Sequence, residues 1–326
     1  MIHIGKTFAG NLERVHKAVI LAAGKGSRLY PITHHIAKPL LPIANKPTMY
    51  YAFERLAEMQ ISDVCVVVGE NEGEMKSFLE DKSSNGINIS YAKQNHPKGL
   101  ADGVAAAKEF VAGEPFVLYL GDSIYSEGFE SFAERFRRGG IANLNIVAEV
   151  EDPRRFGVAT LDGDRIVNLV EKPVLPESNW AMAGLYFFGP EIWDVLQDLK
   201  PSARGEYEIT DAIQLLIDHG AVVEAGKYGG VWFDTGTRES FLETSFFLSG
   251  EEARIDPSAS VKGHVGVHVV IGEGATVECE SIANSVVLPN ARITGDKRIF
   301  QSILGGSCAL QDDAISTILW DGKPRE

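Results

Sequence analysis

Directly after an unbroken apolar run, Ala18-Val19-Ile20-Leu21-Ala22-Ala23, the sequence breaks into Gly24-Lys25-Gly26-Ser27-Arg28-Leu29. A strand apolar at every position has no face for water, so it belongs in a parallel sheet covered by helices on both sides. The following segments keep to that plan. A helix is expected after Pro47, with apolar residues at Tyr50, Phe53, Leu56, Ala57 and Met59, followed by strand Asp63–Val68 and helix Glu72–Glu80. A strand over 87–92, a helix over 101–111 and a strand over Phe116–Leu120 complete the alternation. Such units wind with right-handed crossovers, and their ligands lie beyond the carboxyl ends of the strands.

From residue 143 the chain becomes strand-rich, with strands expected over 143–150, 158–161, 165–170 and 184–188. Helices over 192–199 and 209–219, a strand over 231–233 and a helix after Thr237 follow. This portion reads as a substrate-shaping extension of the same sheet. After Gly250 the apolar residues recur near six-residue intervals, at Ile255, Val261 and Val267, then Ile271, Val277, Ile282, Leu288 and Ile293. That period suits a short triangular parallel β-helix; an irregular β extension is the other reading. The expected division is therefore an N-terminal extension over 1–16, an α/β domain over 17–250 and a tail over 251–326.

The net charge of −14 argues against binding nucleic acid, which needs clustered Lys and Arg. An acidic chain that handles an anionic small molecule must gather a few cations at one place or borrow a metal. Three cysteines without a CxxC pair favour a reducing compartment. Residues 1–16 contain no apolar stretch of signal-peptide length, and no segment reaches the roughly 20 apolar residues of a membrane span. The expectation is a cytoplasmic protein with no membrane partner.

Glycines placed straight after a strand let backbone N–H groups approach a phosphate. The Gly24/Gly26 pair matches neither a P-loop nor the dinucleotide fingerprint, and glycine also serves mere tightness in such turns. Arg28 strengthens the phosphate reading, because a guanidinium grips phosphate oxygens in pairs. Ten residues on, Ala37-Lys38-Pro39-Leu40-Leu41-Pro42 fixes a lysine beside the same loop.

These residues, with Asn45-Lys46-Pro47, resemble the signature of nucleoside-diphosphate-sugar pyrophosphorylases, the sugar nucleotidyltransferases. The sequence is most similar to the glucose-1-phosphate thymidylyltransferase branch in its long form, which ends in a β-helix. The resemblance continues through Gln94 to Leu100, Leu120-Gly121-Asp122, Phe156-Gly157-Val158, Glu171-Lys172-Pro173, Gly205-Glu206-Tyr207-Glu208-Ile209-Thr210 and Trp232-Phe233-Asp234-Thr235-Gly236. It implies a Rossmann-like three-layer α/β domain with a mixed, mostly parallel sheet, followed by a left-handed parallel β-helix.

The same resemblance implies roles. Leu21, Ala23, Gly24, Gly26, Ser27 and Arg28 would line the triphosphate site, with Lys38 near the departing pyrophosphate. Gln94, Pro97, Gly99 and Leu100 would meet the base; an amide offers both a donor and an acceptor to a pyrimidine edge, although Gln94 could instead cap the next helix. Asp122 and Asp234 would share Mg²⁺, since a carboxylate ending an apolar strand is costly unless paired. Either aspartate could also form a turn or cap a helix. Lys172 would meet the sugar phosphate, while Gly157, Glu171, Met182, Gly184, Arg204 and Trp232 would shape the sugar site. Glu171-Lys172 could equally be an exposed charge pair.

The implied reaction is nucleotidyl transfer from dTTP to glucose 1-phosphate, releasing pyrophosphate. The nucleophile, a phosphate with a second pKa of about 6, is already dianionic at neutral pH and needs no general base. No Ser-His-Asp or Cys-His constellation is present, and His34 and His35 read as loop residues. UTP or another sugar phosphate is the alternative substrate pair, and a non-catalytic sugar-nucleotide sensor is the alternative outside enzymes. Short β-helices also host acyl transfer, but the tail's only histidines, His264 and His268, fall in its first coils. Exposed strand edges in such a tail favour a homo-oligomer.

Overall fold

The computed structural model describes residues 15–80 and 86–324, so the expected N-terminal extension, apart from Val15 and His16, lies outside the described residues. The all-apolar run forms the strand Lys17–Leu21, with Ala18, Val19 and Ile20 fully buried at the centre of a nine-stranded sheet. Four strands pair in parallel on its N-terminal side, in the order Asn88–Lys93, Asp63–Val68, Lys17–Leu21, Phe116–Leu120. All four therefore end at the same edge, where the loops at Gly24, Gln94 and Gly121 begin. The helix Thr48–Glu58 buries Met49, Ala52, Phe53 and Leu56 on one stripe and leaves Ala57 exposed. The stretch expected as one helix over 101–111 is two, Leu100–Ala106 and Lys108–Val111.

Beyond Leu120 the sheet changes character. Trp180–Phe188 runs antiparallel to both Phe116–Leu120 and Asn143–Glu149, and Val223–Lys227 is parallel to the latter. The hairpin Gly157–Asp162 and Arg165–Glu171 completes the order, and Ala181 pairs back with Val158. The fold is thus a mixed α/β one. The parallel character inferred from the first strands holds for the N-terminal half and gives way to mostly antiparallel pairing in the other half.

The tail winds in coils whose strands pair in parallel with their counterparts in the next coil. Arg254 pairs with Val270, Val269 with Ser285, Val286 with Ile303 and Ile303 with Ile318. Two other columns do likewise, Val261 with Val277 and Ile293, and Ile282 with Ile299 and Ala314. Val277, Ile282, Ile293 and Ile299 are buried inside the coils. A second apolar cluster runs across the join, packing Leu29, Ile32, Leu41 and Ile43 of the first domain against Val270, Val286, Ile303 and Ile318 of the tail. Among the described residues, no helix is long and apolar enough to cross a membrane.

Candidate functional site

The turn at the end of Lys17–Leu21 is shaped by its packing. Gly26 has φ of 64°, and a Cβ there would lie 3.0 Å from Thr33 Cγ2 and 3.1 Å from Lys38 Cβ. A side chain would strain the backbone and push into the lysine stem, so glycine is required. Thr33 Oγ1 donates to Gly26 O at 2.9 Å and ties the loop back onto itself. Lys38 leads a short 3₁₀ turn with Pro39 behind it, and its side chain is only 10% exposed.

The Lys38 ammonium forms an ion pair with Asp122 Oδ2. Asp122 follows the strand Phe116–Leu120, and its main-chain oxygen accepts from Thr235 N at 3.1 Å and Thr235 Oγ1 at 2.8 Å. Those bonds, with the pairing of Asp234 opposite Ser123, bring the second aspartate alongside the first. Asp234 is not a helix cap: the helix Arg238–Ser249 is capped by Thr237, reciprocally with Ser240. Arg28 closes the group, since its Nη2 and Asp234 Oδ1 lie 2.9 and 2.8 Å from the place of a Cβ on Gly236.

The electrostatics of the two carboxylates differ. Burial alone would raise Asp122, but Lys38, with a smaller contribution from Arg28, holds it below the usual carboxylate range. Asp234 is raised, first by burial and then by the negative charge of Asp122, against opposition from Lys38, Arg28 and Arg155. Two facing carboxylates, one still carrying an unfavourable field, form a donor set suited to a hard divalent cation. Among the described residues no third acidic, histidine or cysteine ligand joins them, so phosphate oxygens and water would complete such a shell, as Mg²⁺ commonly has it.

A cleft of about 290 Å³ opens beside this group. Leu21, Ala23, Gly24, Gln94, Pro97, Gly99 and Leu100 line it together with Lys38 and Asp122. Of the residues expected on the triphosphate side, Gly26, Ser27 and Arg28 do not line this cleft; Arg28 borders a separate hollow with Thr237, Arg238 and Glu239. The Gln94 amide N–H groups are engaged within the chain, donating to Gly99 O at 3.1 Å and Asp102 Oδ2 at 2.7 Å. These bonds fix the orientation of the Gln94 amide, but Gln94 does not cap the next helix, whose N-terminus has no side-chain cap.

The residues expected to meet the sugar form a second cluster. A Cβ on Gly157 would lie 2.6 Å from Thr210 Cγ2 and 3.2 Å from both Glu171 Oε2 and Met182 Cγ, so glycine keeps this corner open for the Glu171 carboxylate. Thr210 Oγ1 donates to Glu171 Oε2 at 2.6 Å. Lys172 adopts φ of 44°, with its Nζ 3.5 Å from Glu171 Oε1. Arg204 reaches Glu171 at 3.4 Å and Glu206 at 2.7 Å. Gly184 lies against Ser123, and Trp232 packs edge-on against Phe156 with ring centres 5.0 Å apart.

Three residues at this site escaped the sequence reading. Arg155 comes within 4.0 Å of Asp234, Thr210 holds Glu171, and Glu206 lines the 290 Å³ cleft while pairing with Arg204. Glu206 and Thr210 lie inside a run already singled out, and Arg155 directly precedes Phe156-Gly157. Single charges in loops carry no periodic signal that would have set them apart.

Known proteins resemble this chain in sequence and fold. The Haloferax volcanii low-salt glycan biosynthesis nucleotidyltransferase Agl11 is 37% identical over 89% of this chain and 92% of its own length. A glucose-1-phosphate thymidylyltransferase of Streptomyces antibioticus is 40% identical over 92% of this chain and 84% of its own. A Bacillus anthracis structure described as a glucose-1-phosphate thymidylyltransferase superposes with a TM-score of 0.68 at 34% identity, covering 72% of this chain and 96% of that one. A UDP-glucose pyrophosphorylase complexed with UDP-glucose gives 0.66 at 26% identity over 72% of this chain and 98% of that one. The family described as nucleotidyl transferase matches residues 17–250, the stretch that carries both clusters, and the chain belongs to that family.

Proposed function

We propose that this chain joins dTTP to glucose 1-phosphate, giving dTDP-glucose and pyrophosphate. The observation that carries the reading is the gathering of Arg28, Lys38, Asp122 and Asp234 at one sheet edge, beside a cleft walled by the glycine loop and Gln94. The likeness to curated thymidylyltransferases at up to 40% identity supports the nucleotide and the sugar.

The chemical difficulty is bringing one polyanion against another. Arg28 grips the triphosphate, and Lys38, turning from Asp122, faces the pyrophosphate as charge builds on it. Lys172 holds the sugar phosphate for in-line attack on the α-phosphorus, and Glu171, kept by Thr210, binds sugar hydroxyls. Asp122 and Asp234 would hold Mg²⁺, which when bound would neutralise phosphate charge. No side chain has to take a proton, because the attacking phosphate is already ionised. We read the tail as a short left-handed parallel β-helix. Its outward Phe300 and Ile315, paired on neighbouring coils and both exposed, support a homo-oligomer. Three free buried cysteines support a reducing, cytoplasmic setting.

The test is pyrophosphate release from the purified protein with Mg²⁺ across a panel of triphosphates and sugar phosphates. The dTTP and glucose 1-phosphate pair should give the highest kcat/KM. A faster UTP reaction would reassign the nucleotide, and silence across the whole panel, with binding of a sugar nucleotide intact, would make the chain a sensor.

A further inference from the structure

The loop that carries Arg28 and Lys38 is braced from outside its own domain. On the inner side Leu29 and Ile32 pack in the cluster shared with Ile303 and Ile318 of the tail. On the outer side the His35 ring stacks on Trp320, with centroids 4.5 Å apart and planes 7° from parallel. Arg28 itself borders a hollow of about 320 Å³ whose far wall is Ser316, Thr317, Ile318 and Pro324 of the last coil.

Trp320 is seated for this contact. A Cβ on Gly305, in the preceding coil, would come within 2.5 Å of the Trp320 ring, so glycine lets the indole lie flat there with its other face turned to His35. The chain then reverses through Asp321 and Gly322, and Lys323–Pro324 pairs back antiparallel on Ile318–Trp320. Asp321 Oδ1 accepts from Ser307 N at 2.7 Å, fastening the turn to the coil beneath. The result is a rigid stack of Gly305, Trp320 and His35 running from the tail into the triphosphate loop.

We propose that Trp320 is a positioning residue: the last coil of the tail, through the Trp320–His35 stack and the Ile318 seam, sets where the loop holds Arg28 and Lys38 and thereby the affinity for the triphosphate. The inference rests on the proposed nucleotidyl transfer for the identity of its ligand. It assigns the tail a part in catalysis that the sugar cluster does not share, because Gly157, Glu171 and Thr210 make their contacts within the first domain.

The experiment compares Trp320→Ala, Trp320→Phe and Gly305→Ala in the full chain, with folding followed by circular dichroism. Trp320→Ala should raise the KM for dTTP about tenfold, since sub-ångström to ångström displacement of a phosphate-holding group has effects of that order or larger. The KM for glucose 1-phosphate should stay within about twofold, as its binding groups are not displaced. Trp320→Phe keeps a flat ring and should restore most of the affinity, while Gly305→Ala, which pushes the indole off its seat, should reproduce the loss. Unchanged KM values in a folded Trp320→Ala protein, or two KM values rising together, would overturn the proposal. Should Trp320→Ala fail to fold, His35→Ala removes the exposed partner of the same stack and carries the same expectation. Calorimetric titration with dTTP separates the two ideas. A wild type that binds dTTP without turnover leaves the Trp320 comparison readable, whereas one that binds no triphosphate overturns both.

Discussion

The two sides of the cleft are built by different means. On the triphosphate side the key cation is buried: Lys38 is 10% exposed, its stem packs on Gly26, and its loop is clamped between the first domain and the tail. On the sugar side the charges are half-exposed and share partners, with Arg204 between Glu171 and Glu206 and Lys172 beside Glu171. Packing fixes Lys38 before any ligand arrives. The second set is held by a chain of ion pairs that the proposed sugar phosphate would rearrange, each pair contributing little in water. Substitutions on the first side should therefore act on turnover, and those on the second side should act largely on sugar-phosphate binding.

The sharpest break of this contrast is at Asp122 and Lys172. With substrates filling the cleft and displacing water, removing one charge partner from the reacting site commonly costs about 2.7–4 kcal/mol, so each variant should lose at least about a hundredfold in kcat/KM. Asp122→Asn should lose it in kcat, with the KM for glucose 1-phosphate little changed. Lys172→Ala should add a marked rise in that KM. Steady-state pyrophosphate release separates the two patterns, and near-normal turnover in either folded variant would remove that residue from the site.

A smaller effect concerns stability. Asp234 has a folded pKa above its unfolded value, so its contribution is fully present below the unfolded pKa and is lost as pH rises through the folded one. Asp122 is lowered and behaves in the opposite sense: its contribution is present above the unfolded pKa and lost as pH falls through the folded value. At neutral pH the ionised Asp234 therefore weighs against the metal-free fold. Asp234→Asn should raise the neutral-pH Tm of the metal-free protein, as thermal denaturation without Mg²⁺ would show. It should also lower activity and blunt the rise in Tm that Mg²⁺ gives the wild type. A Tm lower than wild type at neutral pH would show that Asp234 is not under net repulsion.

The same contrast explains what the sequence disclosed. Continuous apolar strands such as Asp63–Val68 and Phe116–Leu120 were legible to the residue, because burial on both faces leaves no polar position to blur their ends. The strand Val223–Lys227 was not, since Glu224, Gly226 and Lys227 hide it among loop-like residues although Val223 and Ala225 are buried. The helix Glu130–Arg137 was missed for a similar reason: its buried side is little more than Ala133 and Phe136. At the site, Gly26, Lys38 and Asp122 stood out because glycine, proline and a carboxylate after an apolar strand are each costly without a purpose. Arg155 had no such cost in the sequence. Its nearness to Asp234 arises only when the antiparallel strands fold the second half of the sheet back over the first.

Arg204 gives the smallest expected effect and the finest test of the contrast. Its guanidinium is 40% exposed and divides itself among Glu171, Glu206 and the more buried Glu208, so no single ion pair is strong. Exposed pairs are worth about 0–1 kcal/mol, which corresponds to less than about fivefold in binding. Glu171 keeps its hydrogen bond from Thr210 in the absence of Arg204, so its carboxylate should stay in place for the sugar hydroxyls it is proposed to bind. Arg204→Gln should raise the KM for glucose 1-phosphate by a few-fold and leave kcat and the KM for dTTP near wild type. Raising the salt concentration should shrink even that difference, because screening already weakens the exposed pairs of the wild type. A hundredfold loss that persists at high salt would mean that Arg204 touches the transferring phosphate itself. The sugar side would then be preorganised in the same way as the triphosphate side.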